Sequence, residues 1–314
     1  MFKLHNNIYV ASKFKLTEIN LIYIFFSLFF VLFSTWYLAS FVYNFPDYYN
    51  YDRYIKDGTS FIRFSTEPLS AAVMYVLHYF RLSAYEYYFA SILMLYTSYC
   101  FVSSRVENAS KFFVLVFLVF NPLNLILIQT PRYGFAMSLC IVAFFSKSNY
   151  KSFLLIALSL LFHNVMAAFA VVFLITSRVS NKLNIFITGS SITVFILILY
   201  GVIPLGFENF SVSEIQRGVG RLSVFFIFAL YVILSHRGWG KDKLHLVIMA
   251  IYIIALFFIS PFTHRLSSFY IVVMAYYLFS KQNMIENRIV NYIYCSLFLL
   301  GSYYILATGS FGYA

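Results

Sequence analysis

Apolar residues run through the chain in long blocks with few polar interruptions, among them Ile19–Phe41, Leu183–Ile203 and Leu244–Ile259. A helix crossing the hydrocarbon core of a bilayer needs about 20 largely apolar residues, because its backbone polar groups must all be satisfied internally. The pattern predicts helical spans at 19–42, 84–103, 112–128, 132–146, 152–163, 165–177, 184–203, 221–235, 244–260, 266–280 and 289–308. The spans 152–163 and 165–177 are short for a crossing and are expected to tilt or to meet at an irregular point inside the protein. Pro68–Phe80 opens on a proline and is too short to cross, so it reads as a half-helix or interfacial helix within an outer loop over 43–83. The expected fold is therefore all-α: a single transmembrane domain over 1–314, a polytopic bundle of about 11 spans.

Composition agrees with lipid as the main solvent. Of 314 residues 62% are hydrophobic and 11% charged, against roughly 25% charged in a soluble domain. The net charge of +11 is dispersed, with no basic run and no nucleic-acid module, so nucleic acid is not an expected partner. Cys100, Cys140 and Cys295 are isolated in apolar segments and suggest neither a disulfide framework nor a metal site. The first apolar block follows Lys3, Lys13 and Lys15. It is too long for a cleaved signal and reads as an uncleaved anchor.

Charge sets the orientation. With the N-terminus cytoplasmic and the C-terminus outside, the predicted outer loops hold Arg53, Lys56, Arg63, Arg81, Arg132, Arg217, Arg221 and Arg265, and the other fourteen basic residues fall inside. That asymmetry follows the positive-inside rule. All the outer basic residues except Lys56 are arginine, and Asp47, Asp52, Asp57, Glu67, Glu86, Glu208 and Glu214 lie on the same side. Orientation does not call for outer arginines. A planar guanidinium that binds phosphate bidentately and never titrates suits a phosphate-binding surface; pairing with the outer acids or with headgroups is the structural alternative.

Five outer segments could carry chemistry. Tyr43–Tyr54 interleaves tyrosines, including Tyr51 and Tyr54, with Asp47 and Asp52. Such rings stack on sugars, or else form the aromatic belt of a membrane interface. Gln129–Gly134 places Arg132 and Tyr133 just after Pro131, where a helix would aim its N-terminal amides outward, as an anion site requires. Phe162-His163-Asn164 puts an imidazole, able to take a proton near neutral pH, at an outer turn. His264 and Arg265 lie side by side at another, and Arg217 and Arg221 share a helical spacing of four in a fifth. No spacing matches a metal motif.

In its outer loop ending at Glu67-Pro68, its turn Pro131-Arg132-Tyr133-Gly134-Phe135-Ala136 and its Phe162-His163-Asn164, the chain resembles the Wzy-type polysaccharide polymerases, above all the EpsG-like branch. Tyr133 stands where that family often has glutamine, and Asn164 where it often has a small residue. The resemblance implies a GT-C-type glycosyltransferase of the bacterial inner membrane that uses undecaprenyl-pyrophosphate-linked oligosaccharide. It would act on the periplasmic face in O-antigen or other lipopolysaccharide synthesis, alongside a chain-length regulator protein and without a cofactor. It casts Arg132, Arg265, Arg217 and Arg221 as pyrophosphate ligands, and Tyr51, Tyr54, Tyr133 and His264 as sugar contacts. The base for the acceptor hydroxyl is His163, Glu67 or Asp52, in that order of preference.

Three other classes fit less well. An O-antigen ligase would share the donor and the arginines, but it usually carries a larger outer loop than Pro204–Gly220. A flippase for lipid-linked oligosaccharide should place charge at mid-membrane and repeat internally. A membrane acyltransferase should show a histidine-rich inner motif, whereas His236 and His245 are isolated.

Overall fold

In a computed structural model of the chain, the residues described are 18–58, 67–106, 110–122, 127–146, 148–163, 227, 229–231, 247, 250, 265–279 and 288–307. Among them all regular structure is helical. Helix α1 spans Glu18–Ala39, a single 3-10 turn Val42–Asn44, α2 Tyr48–Lys56, α3 Pro68–Tyr79, α4 Ala84–Ser103 and α5 Ser110–Phe120. Then follow α6 Pro131–Phe145, α7 Asn149–Phe162, α8 Arg265–Phe279 and α9 Arg288–Ala307. The predicted spans 165–177 and 184–203, and nearly all of 221–235 and 244–260, lie outside the described residues.

Local chemistry explains the boundaries. Pro68 and Pro131 each open a helix at the position where a missing N–H costs nothing. Between α3 and α4 the chain reverses through Arg81, which takes a left-handed φ of 55° while the Leu82 N–H reaches back 2.9 Å to the Leu77 carbonyl. Ser83 then caps α4. Its hydroxyl accepts from the Tyr85 N–H at 3.2 Å, and its own N–H donates to Glu86 Oε2 at 2.8 Å. Helix α5 stops at Phe120, two residues before Pro122, short of the 112–128 expected.

Among the described residues one helix, over Asn20–Ala39, is long and apolar enough to cross a membrane. It turns Phe25, Phe29, Phe33 and Trp36 outward and Tyr23, Val31 and Thr35 inward. The expected count of about 11 spans is thus met by this test only at its first span. Helices α4 and α9 have 20 residues each but are diluted by tyrosine and serine. The apolar helices α5 to α8 have 11 to 15 residues, roughly 16–22 Å of rise against a hydrocarbon core of about 30 Å.

Helix α4 is the axis of the described fold, packed most closely on α6 and next on α1, while α6 is backed by α7. Its core face is unusually rich in tyrosine. Tyr87, Tyr88, Tyr96 and Tyr99 are all fully buried, and two of their hydroxyls tie α4 to its neighbours, Tyr87 to Ser70 at 2.8 Å and Tyr88 to the Gln129 carbonyl at 2.9 Å. Helix α6 comes so close to α4 because position 134 is glycine. A Cβ there would stand 2.1 Å from Ser91 Oγ, which itself donates to the Pro131 carbonyl at 2.8 Å. The end carrying Pro131 and Arg132 is thereby fixed on α4.

Candidate functional site

The site forms where the start of α3, the start of α6 and the end of α7 meet over the inner face of α2. Glu67 immediately precedes Pro68, and a residue before proline is held out of the helical region; its φ and ψ are −143° and 66°. That non-helical conformation begins α3 with the carboxylate turned into the protein, where Glu67 is 4% exposed. Arg132 is the second residue of α6, and His163 is the residue that terminates α7, its N–H bonded to the Ser159 carbonyl at 3.0 Å.

Glu67 joins the other two. Its Oε2 accepts from Arg132 Nη1, and its Oε1 lies 3.3 Å from His163 Nδ1. That is an ion-pair separation, slightly longer than a formed N–H···O bond. Arg132 Nε donates to the Tyr51 hydroxyl at 2.6 Å. Among the described residues Nε and Nη1 are engaged, which leaves Nη2, on a side chain that is 18% exposed, to meet an incoming group. Tyr133 packs its ring against that of His163, with centroids 4.0 Å apart, and Phe162 stacks on Phe135 at 4.9 Å. These contacts hold the imidazole against α6.

The electrostatics favour an anion. A guanidinium in the first turn of α6 faces the positive end of the helix dipole, which is unfavourable by itself. A buried cation there requires a counter-ion, and Glu67 supplies one. The carboxylate beside Nδ1 favours a proton on that nitrogen, which places the ring's lone pair on Nε2.

Of the predicted site residues, Glu67, Arg132, Tyr51, Tyr133 and His163 come together. Tyr51 and Tyr133 do so as buried residues, 2% and 5% exposed, so neither ring is an open platform for a sugar; Tyr51 instead holds Arg132. Asp52, also on α2, is engaged elsewhere, paired with Lys56 at 2.6 Å and accepting the Ala84 N–H at 3.3 Å. The Asp52 carboxylate raises the Lys56 ammonium above its usual value. Tyr54 is half-buried, with the Arg53 guanidinium 5.8 Å from its ring centroid. Arg265 opens α8, but its side chain, with Arg217, Arg221 and His264, lies outside the described residues. Among the described residues no group of three or more His, Cys, Asp or Glu could hold a metal ion.

Sequence reading missed the layer beneath the site. Tyr87, bonded to Ser70, packs its ring 5.5 Å from that of Tyr51. Thr130, at the N-cap of α6, turns its hydroxyl to Asp47 at 3.5 Å rather than to its own helix. No spacing of these residues marks them in advance, since both contacts join segments distant in sequence.

Comparison with curated proteins and with solved structures found no match. The EpsG family matches residues 22–313, a range that contains Glu67, Arg132 and His163, and the chain belongs to the EpsG family.

Proposed function

We propose that this protein is a polysaccharide polymerase that transfers a growing glycan from undecaprenyl pyrophosphate to the sugar of a second lipid-linked repeat unit on the periplasmic face of the inner membrane. It does so as a single multi-pass domain of about 11 spans, with the N-terminus cytoplasmic and the C-terminus outside. Membership of the EpsG family supports a polymerase of this general type and an association with the membrane. The observation that carries the finer reading is the meeting of Arg132 and His163 on the two oxygens of Glu67.

In the proposed reaction the acceptor hydroxyl oxygen attacks the anomeric carbon of the donor glycan. The bond from that carbon to the pyrophosphate oxygen breaks, and its electron pair leaves with the lipid pyrophosphate. His163 Nε2 takes the hydroxyl proton as the new glycosidic bond forms, while Glu67 holds the imidazole from the other side. Arg132 balances the charge that builds on the pyrophosphate; a donor aimed at such a charge is worth ~3 kcal/mol in the transition state. Pyrophosphate leaves well without a general acid, so one base and one cation suffice. Arg217, Arg221, Arg265 and His264 would extend the site from the C-terminal half.

The test is surface-polysaccharide length in a strain lacking the gene and complemented with wild type or variants of equal membrane abundance. The expected result is loss of the ladder of long chains in the deletion strain, with a single repeat unit remaining on the acceptor. Normal ladders in the deletion strain would overturn the reading. Complete loss of surface sugar, with polymer accumulating on the carrier lipid, would identify a ligase instead.

A further inference from the structure

The ring of Tyr51 is buried beside Arg132, but helix α2 turns other groups outward. Its buried positions Tyr48, Tyr51 and Ile55 recur at a helical spacing. Tyr49, Asn50 and Arg53 therefore share the opposite side, and all three are exposed. Tyr49 is 72% exposed, and its ring stands nearly perpendicular to that of Tyr48, with centroids 5.7 Å apart. Tyr48 also meets Tyr43, at 4.8 Å, and Tyr43 is 52% exposed. Two open rings thus flank one buried ring, and each is followed in the chain by an exposed asparagine, Asn44 and Asn50.

The makeup of this surface says what covers it. Between 21 and 33 every exposed position of α1 is Leu, Ile or Phe, as a face against hydrocarbon requires. Between 42 and 58 none is; the exposed positions there are Tyr, Asn, Pro, Arg, Lys and Asp. A belt at the membrane interface uses tyrosine rings and basic heads, but it has no need of the carboxamides. A sugar needs all of them. Its C–H face packs on an aromatic ring, while its hydroxyls both donate and accept, which asparagine matches with two donors and an acceptor and arginine with five donors.

We infer that, given the polymerase reading above, the outward face of α2 is a carbohydrate subsite, built on Tyr49, Asn50 and Arg53 with Tyr43 beside them, that holds the body of the growing glycan. The other face of the same helix holds Arg132 through the Tyr51 hydroxyl. A helix with its side chains is about 10–12 Å thick, so the subsite meets the glycan some sugars away from the bond that breaks. Contacts that remote grip only chains long enough to reach them. A long chain is kept for the next round of transfer, and a short one gains nothing.

Tyr49 is the residue to change, because a substitution at so exposed a position leaves the fold intact. The probe is the strain's own surface polysaccharide, cut to oligosaccharides and freed of lipid and pyrophosphate, so that Arg132 has no phosphate to bind. Its affinity for the purified full-length protein in lipid nanodiscs is measured by saturation-transfer NMR. Tyr49→Ala is expected to bind about tenfold more weakly than the wild type. Tyr49→Phe, which keeps the ring, should bind as the wild type does. Tyr49→Leu, which keeps an apolar side chain but no ring, should bind as Tyr49→Ala does. In complemented cells at equal abundance, Tyr49→Ala and Tyr49→Leu should keep the short rungs of the ladder and lose the longest, whereas His163→Ala loses all polymer. No binding by the wild type, or equal affinity in Tyr49→Ala, would overturn the subsite and leave the polymerase reading standing. Full-length ladders in Tyr49→Leu but not in Tyr49→Ala would make the position a lipid contact and also overturn it. Unchanged polysaccharide in the deletion strain would remove the polymerase reading, and this inference with it.

Discussion

His163 Nδ1 lies 3.3 Å from Glu67 Oε1, an approach made by two residues that each sit at a helix boundary, one ending α7 and the other preceding α3. Each keeps one helical backbone bond, the His163 N–H to the Ser159 carbonyl and the Ala71 N–H to the Glu67 carbonyl, while its own dihedrals leave the helix. Their separation depends on Pro68 and on the packing of Tyr133 and Phe135 against the end of α7. An imidazole beside a carboxylate resembles the arrangement by which many enzymes fix the tautomer of a catalytic histidine.

Replacing His163 by alanine should therefore abolish chemistry while leaving the protein in the membrane. The expected loss is at least ~100-fold in polymerisation rate, the lower end for a general base. Surface-polysaccharide ladders would collapse to single repeat units at unchanged protein abundance. Long chains made by a well-expressed His163→Ala protein would remove this residue from the reaction.

The Glu67–Arg132 pair should behave as a buried ion pair whose halves depend on one another. Arg132→Gln takes the cation from the buried Glu67 carboxylate, and Glu67→Gln takes the carboxylate from a half-buried guanidinium, each at a cost of up to about 3–5 kcal/mol. The double variant removes both charges and should recover much of that stability without recovering activity. Thermal unfolding of the four proteins in one detergent, arranged as a double-mutant cycle, measures the coupling. Strictly additive losses would show that the two side chains stabilise the fold independently.

Asp52 separates the candidate bases by geometry. It is occupied by Lys56 at 2.6 Å and by the first amide of α4, and it is not part of the Glu67 cluster. Asp52→Asn keeps an oxygen for the Ala84 amide and should leave ladder length unchanged. A collapse of the ladder comparable to that of His163→Ala, at normal abundance, would return Asp52 to the catalytic set.

What could be read from the sequence follows the strength of each physical signal. Long apolar runs, two of them opened by Pro68 and Pro131, predicted helices that the structure places within a few residues, including 84–103, 131–145 and 288–307. Helix α2 went unread. Its buried positions Tyr48, Tyr51 and Ile55 do follow a helical spacing, but tyrosine fits an interface belt as readily as a core. Arg132 and His163 stood out singly because each places a charged or polar group at the end of an apolar run, and Glu67 as an acid of the outer loop just before Pro68. Their pairing is tertiary and left no trace in local pattern. Tyr51 shows the limit most clearly: the same ring that could stack on a sugar is buried, with its hydroxyl spent on Arg132.

Gly134 tests whether the close approach of α6 to α4 sets the site. An alanine Cβ at this position would meet Ser91 Oγ at 2.1 Å, but Ser91 Cβ and the Ser91 carbonyl only at 3.5 and 3.6 Å, ordinary contact distances. The clash is therefore with one atom. In Gly134→Ala that hydroxyl must turn away from the Pro131 carbonyl, or α6 must shift outward and carry Arg132 with it. Alanine favours a helix over glycine by up to about 1 kcal/mol, whereas overpacking costs about 1–3 kcal/mol. The net expectation is a destabilised protein with shortened ladders. Removing the offending atom should reverse most of this: Ser91→Ala combined with Gly134→Ala restores the fit and loses only the bond to Pro131, about 1 kcal/mol. Unfolding temperature and ladder length, measured on both single variants and the pair, decide the matter. If Ser91→Ala fails to rescue Gly134→Ala, the spacing between the two helices is not what holds Arg132 against Glu67.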